Sequence, residues 1–177
     1  MKSKTPPFFI LTGPPGSGKT TLIEALAPHI KTVPEVARRV LAIERASGGT
    51  ATGEQDPQAF VSRMLDMAIN DYASASGPTV FDRGVPDLLA YCAHYQVSDL
   101  DVRPAINTHR CRPTVFVLPA WREIYKSDSE RTLDFDGASA FGDLTREAYR
   151  GSGYALFDVP KVSIEARRAF ILSALEG

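Results

Sequence analysis

Phe8-Phe9-Ile10-Leu11-Thr12-Gly13-Pro14-Pro15-Gly16-Ser17-Gly18-Lys19-Thr20-Thr21 joins an apolar run to a glycine-rich turn that ends in Lys-Thr-Thr. The run Phe8 to Thr12 predicts a buried strand, and Ser17 to Ala27, closed by Pro28, predicts a helix. Between them lies the spacing GxxxxGK[ST], which requires a strand before it and a helix after it so that backbone N–H groups converge on one point. The glycines let those amides crowd round phosphates, Lys19 places a cation on the β and γ phosphates, and Thr20 offers a hydroxyl to Mg²⁺. Gly13, Pro14, Pro15, Gly16, Ser17, Gly18, Lys19, Thr20 and Thr21 are therefore the expected binding segment for a nucleoside triphosphate, read as ATP with Mg²⁺.

Outward from this loop, short apolar runs alternate with longer helical patterns, the sign of a parallel α/β sheet covered by helices on both faces. Further strands are expected at Ile30 to Pro34, Thr79 to Asp82, Thr114 to Leu118 and Tyr154 to Val159. Helices are expected at Glu35 to Ala46, from Asp56-Pro57 to near Gly77, at Pro86 to Tyr95, at Leu100 to His109, and after a Ser163 cap. The run Gly48-Gly49-Thr50-Ala51-Thr52-Gly53 has the most flexible composition in the chain and reads as a loop. No repeat or linker interrupts the pattern, so residues 1–177 are expected to form one domain.

Composition narrows the partners. With 20 basic and 21 acidic residues the formal net charge is -1, and nothing in that balance suggests a nucleic-acid or membrane-surface binder held by bulk charge. A small, diffusible partner fits better, with a protein partner as the alternative. Cys92 and Cys111 are isolated, without a CxxC pair, and read as small apolar residues rather than zinc ligands or a disulfide. The apolar run after Lys2 and Lys4 ends at Gly13 and flows into the phosphate loop, so it is not read as a secretory signal. No stretch reaches the ~20 apolar residues that span a bilayer, and the expected location is the cytoplasm.

In open parallel sheets ligands lie beyond the carboxyl ends of the strands. Glu35, with Arg38 one helical turn later, follows the second strand; Asp82 and Arg83 end the third. Asp82 can orient water on Mg²⁺, or serve only as a cap. Glu35 can take the proton of a hydroxyl that attacks the γ-phosphate while Arg38 and Arg83 hold the acceptor, or Glu35 and Arg38 can form a surface ion pair. The polar stretch Trp121 to Arg131, within a lid placed at about 121–133, offers Arg122 and Arg131 to the transferring phosphoryl group, the alternative being a solvated charged helix.

The phosphate loop, Val33-Pro34-Glu35-Val36-Ala37-Arg38, Phe81-Asp82-Arg83-Gly84-Val85-Pro86-Asp87, Trp121-Arg122-Glu123-Ile124-Tyr125 with Ser129-Glu130-Arg131, and Gly153-Tyr154 through Val159-Pro160 together resemble the small P-loop ATPase domain related to ribosylnicotinamide kinase, an AAA-type, nucleoside/nucleotide kinase-like group. The resemblance implies a three-layer P-loop fold with strand order 2-3-1-4-5. It also implies that Arg83 contacts the phosphoryl acceptor, that Glu35 lies near the acceptor hydroxyl, that Arg122 and Arg131 act from the lid, and that Pro160 and Lys161 pack the adenine ring. The chain departs from these kinases in lacking the full Asp-Arg-Tyr motif and a recognisable acceptor-base pocket. Two functions remain in view: a kinase that transfers the γ-phosphoryl of MgATP to a nucleoside- or nucleotide-like acceptor, and a regulatory nucleotide-dependent switch read by a partner.

Overall fold

Phe8–Thr12 (β1) lies at the centre of a five-stranded parallel sheet, described together with its helices in a computed structural model covering residues 6–126 and 133–176. The other strands are Lys31–Val33 (β2), Thr79–Asp82 (β3), Thr114–Val117 (β4) and Ala155–Asp158 (β5), and the order across the sheet is β2-β3-β1-β4-β5. β1 is flanked on both sides by parallel partners, with Leu11 opposite Asp82 on one side and Phe116 on the other. A strand in that position needs apolar side chains on both faces. β1 meets the requirement, since Phe8 and Ile10 join one core and Phe9 and Leu11 the other.

The helices are Lys19–Leu26 (α1), Val36–Ser47 (α2), Pro57–Ser74 (α3), Asp87–Tyr95 (α4), Val102–Thr108 (α5), Phe135–Gly151 (α6) and Ile164–Glu176 (α7). On one face, Leu22 and Leu26 of α1 and Ile171 of α7 cover Leu11, Val80 and Phe116. On the other, Tyr149 of α6 packs with Ile10, Phe81 and Val117, while α2 to α5 build an aliphatic cluster around Met64, Leu88 and Ile106. Cys92 and Cys111 are buried free thiols in these cores. Among the described residues no helix is long and apolar enough to cross a membrane.

Local chemistry sets most boundaries where expected. Asp56 caps α3 by accepting from Ala59 N at 3.0 Å, Pro57 occupies the first turn, and Ser163 accepts from Ala166 N at 3.3 Å at the start of α7. The first helix begins at Lys19, not Ser17, because Gly16 and Gly18 have φ of 76° and 88°, left-handed values that no helix contains. The sequence pattern sets no bounds for the helix between β4 and β5. It runs through Gly137 and Gly142, whose poor helix propensity conceals it. Gly142 is needed there because a Cβ on it would lie 3.0 Å from Pro14, so its bareness lets α6 rest on the phosphate loop.

Leu11 is fully buried and Leu100 is 76% exposed. Leu11→Ala is expected to lower unfolding free energy by about 3 kcal/mol through lost transfer energy and a residual cavity. Leu100→Ala should change it by less than about 0.5 kcal/mol. Urea unfolding with an unchanged m-value checks both.

Candidate functional site

The carboxyl ends of β1, β2 and β3 converge with the start of α1. The loop's own carbonyls engage its lysine: Lys19 Nζ donates to Gly13 O at 3.0 Å and Pro14 O at 2.9 Å. Burial, and then the nearby Arg83 charge, lower the Lys19 ammonium to about 8, against the pull of Glu35 and Asp82. The segment after β4 covers the loop from outside. A Cβ on Gly16 would lie 2.5 Å from the Tyr125 ring, and one on Gly18 would meet Ile124 and Arg167 at 3.3 and 3.2 Å.

Arg83 is the hinge of the opposite wall. It is 7% exposed and has φ of 71°, a conformation that costs a non-glycine residue about 1–3 kcal/mol. Two carboxylates hold it there: Arg83 Nε donates to Glu35 Oε1 at 2.9 Å, and Arg83 Nη1 to Asp87 Oδ1 at 2.8 Å. Asp87 also accepts from Thr12 Oγ1 at 2.6 Å, from Gly84 N at 3.0 Å and, through a short bond, from the Tyr149 hydroxyl. Glu35 in turn receives Tyr91 Oη at 3.4 Å and pairs with Arg38 Nε at 3.4 Å.

Glu35 and Asp82 are driven apart. Burial opposes the charge of Glu35, but Arg83 and Lys19 outweigh it and hold its carboxyl below the ordinary value. Asp82 is raised from 3.8 to about 6, by burial first and by the Glu35 charge second. Its Oδ1 is buried without a hydrogen-bond partner. An orphaned acidic oxygen beside Lys19 and the start of α1 fits a divalent cation held through water and bound phosphates, with Thr20 as the second protein group. Among the described residues no cluster of three or more His, Cys, Asp or Glu could hold a metal without such help.

Lys19, Glu35, Arg38 and Arg83 open onto one cavity of about 200 Å³, whose lining does not include Asp82. Lys19, Glu35 and Arg83 line its charged side, with Thr20, Thr21 and Arg38 at the edge; Phe60, Tyr91 and Phe141 form an aromatic side. Of the expected set, Lys19, Glu35, Arg38 and Arg83 share this cavity, with Arg83 held between two carboxylates, while Asp82 is buried outside its lining, within electrostatic reach of Lys19 and Glu35. Arg122 does not line the cavity; its guanidinium lies 4.0 Å over the Phe135 ring and bonds Asp136 at 2.9 Å on the exposed side. Arg131 lies outside the described residues. Pro160 and Lys161 are exposed in the turn after β5.

Sequence reasoning missed Asp87, Tyr91, Phe141, Tyr149 and Arg167 as site residues. The spacing Asp82-Arg83-x-x-x-Asp87 placed a second carboxylate one turn from Arg83, and that signal could have been used. Phe141 and Tyr149 arrive from a distant helix with no local pattern. Arg167, from α7, lies 4.4 Å over the Trp121 ring and donates to Ser17 O at 3.4 Å, bracing the back of the loop.

The raised Asp82 value makes a signed prediction. The folded state binds that proton more tightly than the unfolded chain, so Asp82 lowers stability as the pH rises from about 4 to about 6, and the penalty is complete above that range. Asp82→Asn removes the titration. In ligand-free protein its stability relative to the parent should improve by up to roughly 3 kcal/mol between pH 4 and pH 7. Denaturation at a series of pH values checks this, and parallel curves for the two proteins would contradict it.

The family described as "AAA domain" matches residues 8–167. A search of curated proteins finds no match. Among solved structures, 97% of the chain superposes on NadR protein in complex with NR, with a TM-score of 0.68 and 19% identity, and spans 51% of that protein, about half its length. It also aligns over 97% of its length with shikimate kinase from Acinetobacter baumannii, with a TM-score of 0.58, 16% identity and 92% of that chain covered. With deoxyadenosine kinase from M. mycoides the figures are 96%, a TM-score of 0.64, 15% identity and 98% of that chain. Such likenesses show a kinase-like P-loop fold, and the match over residues 8–167 shows that the chain belongs to the AAA-domain family.

Proposed function

We propose that this chain is a kinase that transfers the γ-phosphoryl group of MgATP to a hydroxyl of a small, ring-bearing, nucleoside- or nucleotide-like acceptor. The reading rests on the opening of Glu35 onto the same cavity as Lys19. Donor and acceptor groups can therefore meet in one enclosed space, the arrangement phosphoryl transfer needs. The kinase names of the structural neighbours support it.

Bound phosphates would replace Gly13 O and Pro14 O as partners of Lys19, and the loop amides would hold the remaining oxygens. Mg²⁺, when bound near Asp82 and Thr20, supplies charge neutralisation on the phosphate oxygens. Glu35, kept ionised by Arg83, accepts the proton of the acceptor hydroxyl as its oxygen bonds the γ-phosphorus. The bond from that phosphorus to the ADP oxygen breaks, and ADP leaves with the electron pair. Arg83 acts here through Glu35, as a positioning residue, because both carboxylate partners already engage it. For the same reason an uncharged hydroxyl-bearing ring suits the cavity better than a phosphate monoester: the charges of Arg83 and Arg38 are matched by Glu35 and Asp87. Arg122, once released from Asp136, and Arg131 are assigned to closing over the γ-phosphate, and Pro160 with Lys161 to the adenine.

Incubation with MgATP and a panel of nucleosides, nucleotides and small hydroxylated metabolites should give acceptor-dependent ADP release. Glu35→Gln should lower that rate by about 10²-fold or more while ATP affinity changes little. If no acceptor raises ADP release above background hydrolysis, the kinase reading is lost, and nucleotide-dependent capture of a partner protein becomes the next measurement.

Lys19 adds a pH dependence. Its ammonium form is the one that attracts phosphate, and it is lost as the pH rises through about 8. ATP affinity should therefore be flat below that value and weaken above it, by up to about tenfold per pH unit. Lys19→Met should bind weakly and without this slope, as followed by titration calorimetry.

A further inference from the structure

The glycine-rich segment 48–53 has no part in the phosphate chemistry, yet it is tightly held. Glu44 is 2% exposed; its Oε2 accepts from Ala51 N at 3.0 Å, its backbone O accepts from Gly49 N at 2.9 Å, and its Oε1 pairs with Arg63 at 3.2 Å. A Cβ on Gly49 would stand 2.0 Å from Glu44 Oε2, so the loop lies against that carboxylate. Ala51 is buried, and Thr52 O accepts from Asp56 N at 3.1 Å at the start of α3. A loop tied at both ends and in the middle does not retreat freely.

Gly53 ends this loop against Tyr95. A Cβ there would lie 2.1 Å from Tyr95 Oη, 2.5 Å from Cζ and 2.9 Å from Cε1. The other side of that ring faces the Lys19–Glu35 cavity: Leu41, Phe60 and Tyr95 line both that cavity and the outer hollow bounded by Gly48, Gly49 and Gly53. Tyr95 is thus part of a thin partition. Its ring is stacked on Tyr91, with centroids 6.3 Å apart and an interplanar angle of 27°, and meets Phe60 edge-on.

We propose that Gly53 determines the size of the acceptor ring, because the absence of a side chain there lets Tyr95 withdraw from the cavity against a loop pinned by Glu44. The inference rests on the kinase reading and adds a specificity-determining position to it. A methyl group at 53 has to displace something, and the far end of the Tyr95 side chain yields before the pinned loop, shifting into the cavity that Tyr95 lines and onto which Glu35 opens.

The test compares binding of uridine, with one ring, and adenosine, with two, by calorimetry in the presence of Mg²⁺ and a non-hydrolysable ATP analogue. Gly53→Ala should lower adenosine affinity relative to uridine by about tenfold, with affinity for the ATP analogue unchanged. Tyr95→Ala should shift the ratio the other way, which keeps the test decisive even where Gly53→Ala folds poorly. A crystal structure of Gly53→Ala should show the ring moved into the cavity. An unchanged adenosine-to-uridine ratio in both variants, or a ring that stays while the loop moves out, overturns the role of Gly53 and leaves the kinase reading standing. Parent protein that neither binds nor phosphorylates any of the panel overturns the kinase reading, and this inference with it.

Discussion

The carboxyl end of the sheet depends on the double ion pair of Arg83. A guanidinium buried to this extent is tolerable only when its charge is matched, and removing one partner of such a network typically costs about 3–5 kcal/mol. Here the partners do more than neutralise. Glu35 comes from the end of β2, Arg83 from the end of β3 and Asp87 from the start of α4, while Thr12 of β1 and Tyr149 of α6 bond the same Asp87. Five elements meet at one cluster, and the left-handed backbone at Arg83 is held in place by it.

That cluster explains why two nearby carboxylates behave differently. Asp82 is buried and Glu35 partly so, but of the two only Glu35 touches Arg83, and its charge is held while Asp82 is pushed up to about 6. Pushing two acids apart by environment is the usual route to separate roles. Glu35 is kept in its charged form. Asp82 stays poorly satisfied until a cation or a donor reaches its buried Oδ1.

The strands were legible because their signals are local or nearly so: apolar runs of strand length, proline and glycine punctuation, and a phosphate loop with its required neighbours; the order of the strands across the sheet followed only from the resemblance to P-loop kinases. The charged half of the site was legible for the same reason, since Glu35, Asp82 and Arg83 follow directly on strands. What escaped was set by tertiary packing. Arg83 reads in sequence as a cation facing an acceptor, whereas folding turns it into the link between two carboxylates. Phe141 and Tyr149 reach the site only through α6, a helix obscured by the glycine that lets it approach Pro14.

Glycine-rich composition carries opposite meanings at the two ends of the cavity. In the phosphate loop, Gly16 and Gly18 supply backbone angles that aim amides at a ligand. In the 48–53 loop the composition suggests freedom, but the buried Glu44 removes it, since a carboxylate side chain in the interior holds the donors it needs. Bareness at Gly53 then matters for the volume it leaves to Tyr95 rather than for flexibility. One wall of the cavity, at Tyr95, is consequently backed by a loop that does not itself line it, so its dimensions can change by substitution there while Lys19 and Glu35 keep their geometry.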